Sequence, residues 1–166
     1  MDEGFRSGYE AIGWALRRTS TPIVDGPSIW ELGRKEGSRD FMPELNDWEK
    51  LAEAALILRN VERCCRPHHE AIILTYFMGG TVVETAVLIS YISKNLGRDK
   101  WFVQDIVMNW ARGWRGHTGD WWAKKYRVSI RTIQRWALKI KQMLSDMFDF
   151  AMSLVDDALV ESGHVV

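Results

Sequence analysis

Between Ser129 and Ser162 the chain carries neither glycine nor proline, and apolar residues recur along that stretch at helical spacing. Ile133, Ala137, Ile140, Leu144, Met147, Ala151, Leu154 and Ala158 follow one another in alternating four- and three-residue steps. A strand alternates with a period of two and would scatter these residues over both faces; a helix gathers them into one stripe. A helix this long must bury its stripe against other helices, so the expected fold class is all-α: a multi-helix domain with a C-terminal helix-turn-helix and a long C-terminal helix. The seam through Ile140, Leu144, Met147 and Leu154 has heptad spacing and is expected to hold a homodimer or higher oligomer together. The competing use is a return to the chain's own core, since Leu138, Met143, Phe148, Phe150, Met152, Val155 and Leu159 widen the apolar surface beyond a narrow seam.

Upstream, the same spacing predicts shorter helices. Phe5, Tyr9, Ile12 and Leu16 predict one over about Glu3–Arg18. The stretch from Thr19 to Pro43 reads as loop, broken by Pro22, Gly26, Pro27, Gly33 and Gly37, with a short helical turn at Ser28–Leu32. Asn46 and Glu49 have the spacing of a capping box and open a helix that Pro67 closes. Further helices are expected over His68–Met78, over Val82–Asn95 with Thr81 as cap, and over Trp101–Trp114. The runs AIILTYF and TAVLISYI are β-rich in composition but sit inside helical patterns. This reading divides the chain into an N-terminal helical domain (1–117), a helix-turn-helix (118–144) and a C-terminal arm (145–166).

The charge is zero overall, so any nucleic-acid surface must come from clustering. From Arg112 to Lys141 the basic residues are Arg112, Arg115, Lys124, Lys125, Arg127, Arg131, Arg135, Lys139 and Lys141, with Asp120 the single acid among them. Beyond Lys141 the sign reverses: Asp146, Asp149, Asp156, Asp157 and Glu161 follow with no lysine or arginine. Within the basic block, Thr118 or Asp120 caps a short helix ending near Tyr126, and Arg127-Val128-Ser129 makes a turn. Ser129 then caps a second helix. Trp122, Ala123, Tyr126, Val128, Ile133 and Trp136 fall where the core of a helix-turn-helix needs them, with Ala123 small enough for a close helix crossing. Arg131, Thr132, Gln134 and Arg135 face outward on the second helix (about 130–144) and have the chemistry to read base edges. Lys124, Lys125, Arg127 and Lys139 are placed to meet phosphates. Arg127 stands at the turn position where glycine is usual. The plainer reading is an amphipathic helix pair with a solvated basic face.

This stretch resembles the helix-turn-helix of sigma-70 region 4 and its relatives in phage regulators. The segment His68–Gly80 (HHEAIILTYFMGG) resembles the helix that precedes that motif in sigma-type proteins. The N-terminal AIGWALRRTSTPIVDGPSIWEL is similar to an uncharacterised prophage family with an Arg-Arg first helix, a Pro/Gly loop containing Ser-x-Trp, and a sigma-like motif at its end. The resemblance covers about half the chain and departs at 81–117, an insertion relative to sigma-type domains. It implies a sequence-specific, duplex-DNA-binding transcriptional regulator of phage, prophage or bacterial type. Such a regulator acts by occupying DNA or contacting RNA polymerase, in the cytoplasm of a bacterial cell or phage-infected host and associated with the nucleoid.

Two other classes compete: a small-terminase-like packaging protein that forms a ring, and a protein-interaction module with an acidic partner. No phosphate-cradling glycine loop, nucleophile–base pair or zinc-hydrolase motif is present, so no enzymatic activity and no cofactor are expected. Cys64, Cys65, His68 and His69 have metal-ligand chemistry, but Pro67 separates the pairs and no second pair lies at zinc-finger spacing, so no metal is expected. The basic block is also interleaved with tryptophans, from a total of nine. These suit the core of the motif better than a stacking platform for single strands. The absence of a signal-peptide-like or membrane-length apolar run, and only two cysteines, lead to the expectation of a cytoplasmic protein without membrane contact.

Overall fold

The computed structural model describes residues 4–19 and 45–166. Among them the fold is all-helical, with α1 (Gly8–Thr19), α2 (Asp47–Cys64), α3 (Pro67–Met78), α4 (Glu84–Leu96), α5 (Lys100–Arg112), α6 (Gly119–Tyr126) and α7 (Ile130–Glu161). No strand forms among these residues; Phe5 and Val165 make one isolated bridge. The loop expected over Thr19–Pro43, with its turn at Ser28–Leu32, lies outside the described residues except for Thr19, which ends α1. No described helix is long and apolar enough to cross a membrane.

The chain divides into two compact units, one of Met1–Arg66 with Ala151–Val166 and the other of Pro67–Phe150. The boundaries drawn from the sequence after 117 and 144 both fall inside the second unit.

In the first unit α1 packs on α2. The helix expected from Glu3 starts at Gly8, because Phe5 is taken up elsewhere. Its N–H donates to the His164 carbonyl (3.2 Å) and its carbonyl accepts from Val166 (3.0 Å), which leaves Phe5 fully buried. Ser7 caps α1 by accepting from the Glu10 N–H, and the Asp156 carboxylate accepts from Gly8 at the helix's positive end. The capping box expected at Asn46 is present in both directions: Glu49 N–H to Asn46 Oδ1 at 3.0 Å, and Asn46 N–H to Glu49 Oε2 at 2.8 Å. Ala11, Ile12, Ala15, Ala54, Ile57 and Leu159 form the buried interior, each large one contributing about 1.5–3 kcal/mol. His164 Nε2 meets Glu53 Oε1 at 2.8 Å and tethers the C-terminal tail to α2.

In the second unit α3 is the central element. It buries Ile72, Ile73, Thr75 and Phe77 and packs on α4 and α5, which also pack on each other. The β-rich composition of AIILTYF gives way to burial on several sides of α3, and in TAVLISYI Thr85, Leu88 and Ile92 form a buried face at helical spacing. Thr75 and Thr85 satisfy each other's hydroxyls at 3.0 Å inside the α3–α4 contact. Thr81 does not cap the next helix as expected: its hydroxyl donates back to the Met78 carbonyl (2.7 Å), and α4 begins at Glu84 behind Val83 without a side-chain cap. Gly80 has φ +77°, and a Cβ there would stand 2.6 Å from Met108 Sδ on α5. The positive φ favours glycine there, and a side chain would also oblige Met108 to shift.

Candidate nucleic-acid interface

The basic block folds as α6, the three-residue turn 127–129 and the start of α7. Thr118 caps α6 by accepting from the Trp121 N–H (3.2 Å). At the other end the Val128 N–H donates to the Ala123 carbonyl (3.0 Å) and the Arg127 N–H to Lys124 (3.4 Å). This paired arrangement ends helices whose next residue is left-handed, usually glycine. Arg127 fills that position with φ 54° and ψ 46°, and no other described non-glycine residue has positive φ. The left-handed backbone costs an L-residue roughly 1–2 kcal/mol, which the surrounding packing must offset. Ser129 then accepts from the Thr132 N–H (3.2 Å) and opens α7.

The packing comes from α5. Phe102 is buried and stands edge-on to Trp122, Tyr126 and Trp136, so one ring touches both α6 and α7. Two carboxylates, Asp105 on α5 and Asp99 at its N-cap, fix α6 further. Asp105 Oδ2 accepts from the His117 N–H (3.0 Å) and from Trp122 Nε1 (3.1 Å), giving a buried indole its required acceptor. Gly116 passes so close that a Cβ there would fall onto the Asp105 carboxylate. Asp99 caps α5 through Trp101 (2.9 Å) and accepts from the Tyr126 hydroxyl (2.8 Å). The Trp101 backbone bond, then the Tyr126 bond, hold Asp99 below its ordinary value. Burial first, then the bond to Asp99 and its charge, push the Tyr126 phenol well above its own. The Arg98 guanidinium lies 3.7 Å over the Trp136 ring.

Around this frame the outward residues separate into groups. Arg131, Gln134 and Arg135 are exposed on α7, and Lys124, Lys125, Arg127 and Lys139 are exposed as well. Thr132, also expected to read bases, is half-buried, and its hydroxyl is bonded to Ser129 Oγ at 3.0 Å at the start of the helix. Trp122, Ala123 and Ile133 are buried, and Tyr126, Val128 and Trp136 half-buried. His117 lies flat on Trp121 at 3.7 Å, with Lys125 Nζ 5.1 Å from the same ring.

The residues of the expected seam differ in burial within the single chain. Ile140 and Leu144 are 0% exposed within the single chain, so they have no surface to offer a second copy; Met147 and Leu154 are half-buried. The heptad spacing marks an apolar stripe, and a stripe does not say whose helices cover it. His68 stacks on Tyr91 (4.1 Å), and His69 contacts the rings of His68 and Phe150. Among the described residues no three His, Cys, Asp or Glu side chains converge as a metal site.

Sequence reasoning missed Arg98, Asp99 and Asp105; helical spacing puts Phe102 on the apolar face of its helix but does not reveal its partners on α6 and α7. Asp99 carried a signal, since an aspartate just before a helical pattern is an N-cap candidate. Asp105 carried none, because its partners lie 12 and 17 residues away. Compared with protein-family models, curated proteins and solved structures, the chain finds no match.

Proposed function

We propose that the chain binds duplex DNA through α6, the turn and the start of α7, used as a helix-turn-helix, and that it regulates transcription in the manner of phage and bacterial regulators. The observation that carries the reading is the exposed cationic set. Lys124, Lys125 and Arg127 on the short helix and its turn are exposed, and so are Arg131, Gln134 and Arg135 on the first turns of α7. Behind them lies a rigid aromatic core. A base-reading helix needs its side chains free and its backbone fixed. Phe102 supports the reading further, because it makes α5 the third helix of the group, the arrangement of three-helix variants of the motif. The likeness to sigma-70 region 4 belongs to the same proposal, with polymerase as a partner on that account.

Selection of bound fragments from a random duplex pool tests it. Arg131→Ala, Gln134→Ala and Arg135→Ala change the selected sequence, each good base contact contributing ~1–3 kcal/mol of discrimination. Lys124→Ala and Lys125→Ala weaken all duplexes alike, and each reduces the log–log salt slope by about 0.9. A chain that retains no duplex at low salt sinks the reading and leaves the basic face to an acidic protein partner.

A further inference from the structure

The connection between α2 and α3 holds a feature outside the proposed interface. Cys64 is the last residue of α2, and Cys65 follows with φ −108° and ψ 144°. Adjacent residues within a helix point well apart. Here the chain leaves the helix between the two, at Cys65, and Pro67 disfavours a return to helical backbone at Arg66. The exit brings the sulfurs to 3.6 Å of each other. Both are thiols, and neither residue is fully buried.

That separation selects the chemistry. A disulfide needs an S–S distance of about 2.03–2.05 Å, which adjacent residues reach only with strain. A linear two-coordinate ion with thiolate bonds of about 2.3 Å would need the sulfurs about 4.6 Å apart. A tetrahedral ion fits the span, but a structural site of that kind takes four protein ligands. The chain has no third cysteine, and no third ligand converges among the described residues. What remains is a bent, thiophilic centre that is satisfied by two sulfurs and brings its own third substituent.

We infer that Cys64 and Cys65 form a chelating dithiol site for trivalent organoarsenicals, a ligand class defined by two thiolate bonds at one pyramidal centre. With phenylarsine oxide as the probe, two S–H bonds break and two As–S bonds form. The oxide oxygen leaves as water carrying both protons. Arsenic stays trivalent, so no oxidant or reductant takes part. The inference does not depend on the DNA reading.

The test is intact-mass spectrometry of the whole chain after reaction with phenylarsine oxide, followed by a challenge with excess 2-mercaptoethanol or excess dithiothreitol. The expected result is one phenylarsenic group per chain that survives the monothiol and is removed by the dithiol. Cys64→Ser and Cys65→Ser, each checked for native helicity, lose the monothiol-resistant adduct. A wild-type adduct that the monothiol strips, or two arsenic groups per chain, overturns the inference. So does a resistant adduct that persists in either serine variant. The wild-type arm stands even if a variant fails to fold.

Discussion

The two halves of α7 share one amphipathic repeat and put charge to opposite uses. From Ile130 to Gln142 the charged residues are Arg131, Arg135, Lys139 and Lys141, all exposed. From Ser145 to Glu161 they are all acids, and at least one has a structural partner: Asp156 accepts from the Gly8 N–H at the start of α1. Burial is alike in kind, with Ile133, Ile140 and Leu144 inside in the first half and Ala151, Met152, Val155 and Leu159 in the second. A hydrophobic stripe therefore says that a helix is anchored, while the sign and exposure of the opposite face say what the helix is available for. The basic half keeps its cations on the open face, as the proposed DNA reading requires. In the acidic half Asp156 is engaged within the fold of the first unit, while Asp146 and Asp149 lie on the part of α7 that belongs to the second.

The strongest way to break that comparison is Leu144→Asp. If the basic half is anchored within its own chain, the variant buries an unpaired charge at a fully enclosed site and loses more than about 3 kcal/mol. Urea unfolding followed by circular dichroism reads the loss. A folded variant whose sedimentation shows only dissociation from dimer to monomer would return Leu144 to an oligomer seam. The matching change on the open face, Leu138→Asp, stays within about 0.5 kcal/mol of wild type.

Asp105→Ala is the next in size. It strands the Trp122 indole N–H and the His117 amide, with an expected loss of about 1–3 kcal/mol. Hydrogen exchange should quicken in α6 and the first turns of α7, while the acidic half and α1 keep their protection. Equal quickening in both halves would show that Asp105 supports the whole chain rather than the basic face.

The Asp99–Tyr126 bond makes the support of the basic half sensitive to pH. Asp99 is held below its ordinary 3.8, so its contribution is complete above that value and is lost as pH falls through the lowered folded value. Tyr126 is raised above 10.0, so its share is complete below pH 10 and fades as pH climbs beyond it. Melting temperatures across pH compare wild type with Asp99→Asn. The variant lacks the acid-side loss due to this pair, and an unchanged acid limb refutes the assignment.

The smallest effect belongs to Arg127→Gly. Relief of the left-handed backbone favours the variant by about 1 kcal/mol, partly offset by glycine's greater freedom in the unfolded chain. Duplex affinity falls at the same time through the lost cation. A melting temperature that drops instead would mean that the Arg127 side chain stabilises the turn more than its backbone strains it.

Most helices were legible in the sequence because their signals lie within four residues of one another. Asn46 and Glu49 cap each other, Pro67 opens α3, Thr118 and Ser129 accept from amides three residues on, and Gly97 and Gly113 end α4 and α5 in left-handed conformations. The exposed basic face was legible for the same reason: helical periodicity fixes which side chains oppose the apolar stripe. Tertiary structure alone decided what covers that stripe, so Ile140 and Leu144 are interior residues. It also drew Phe5 out of the first helix to meet Val165, and set Asp99 and Asp105 under α6. Those partners lie from 12 to 160 residues apart, and no local pattern encodes a contact whose loop must first be closed by the rest of the fold.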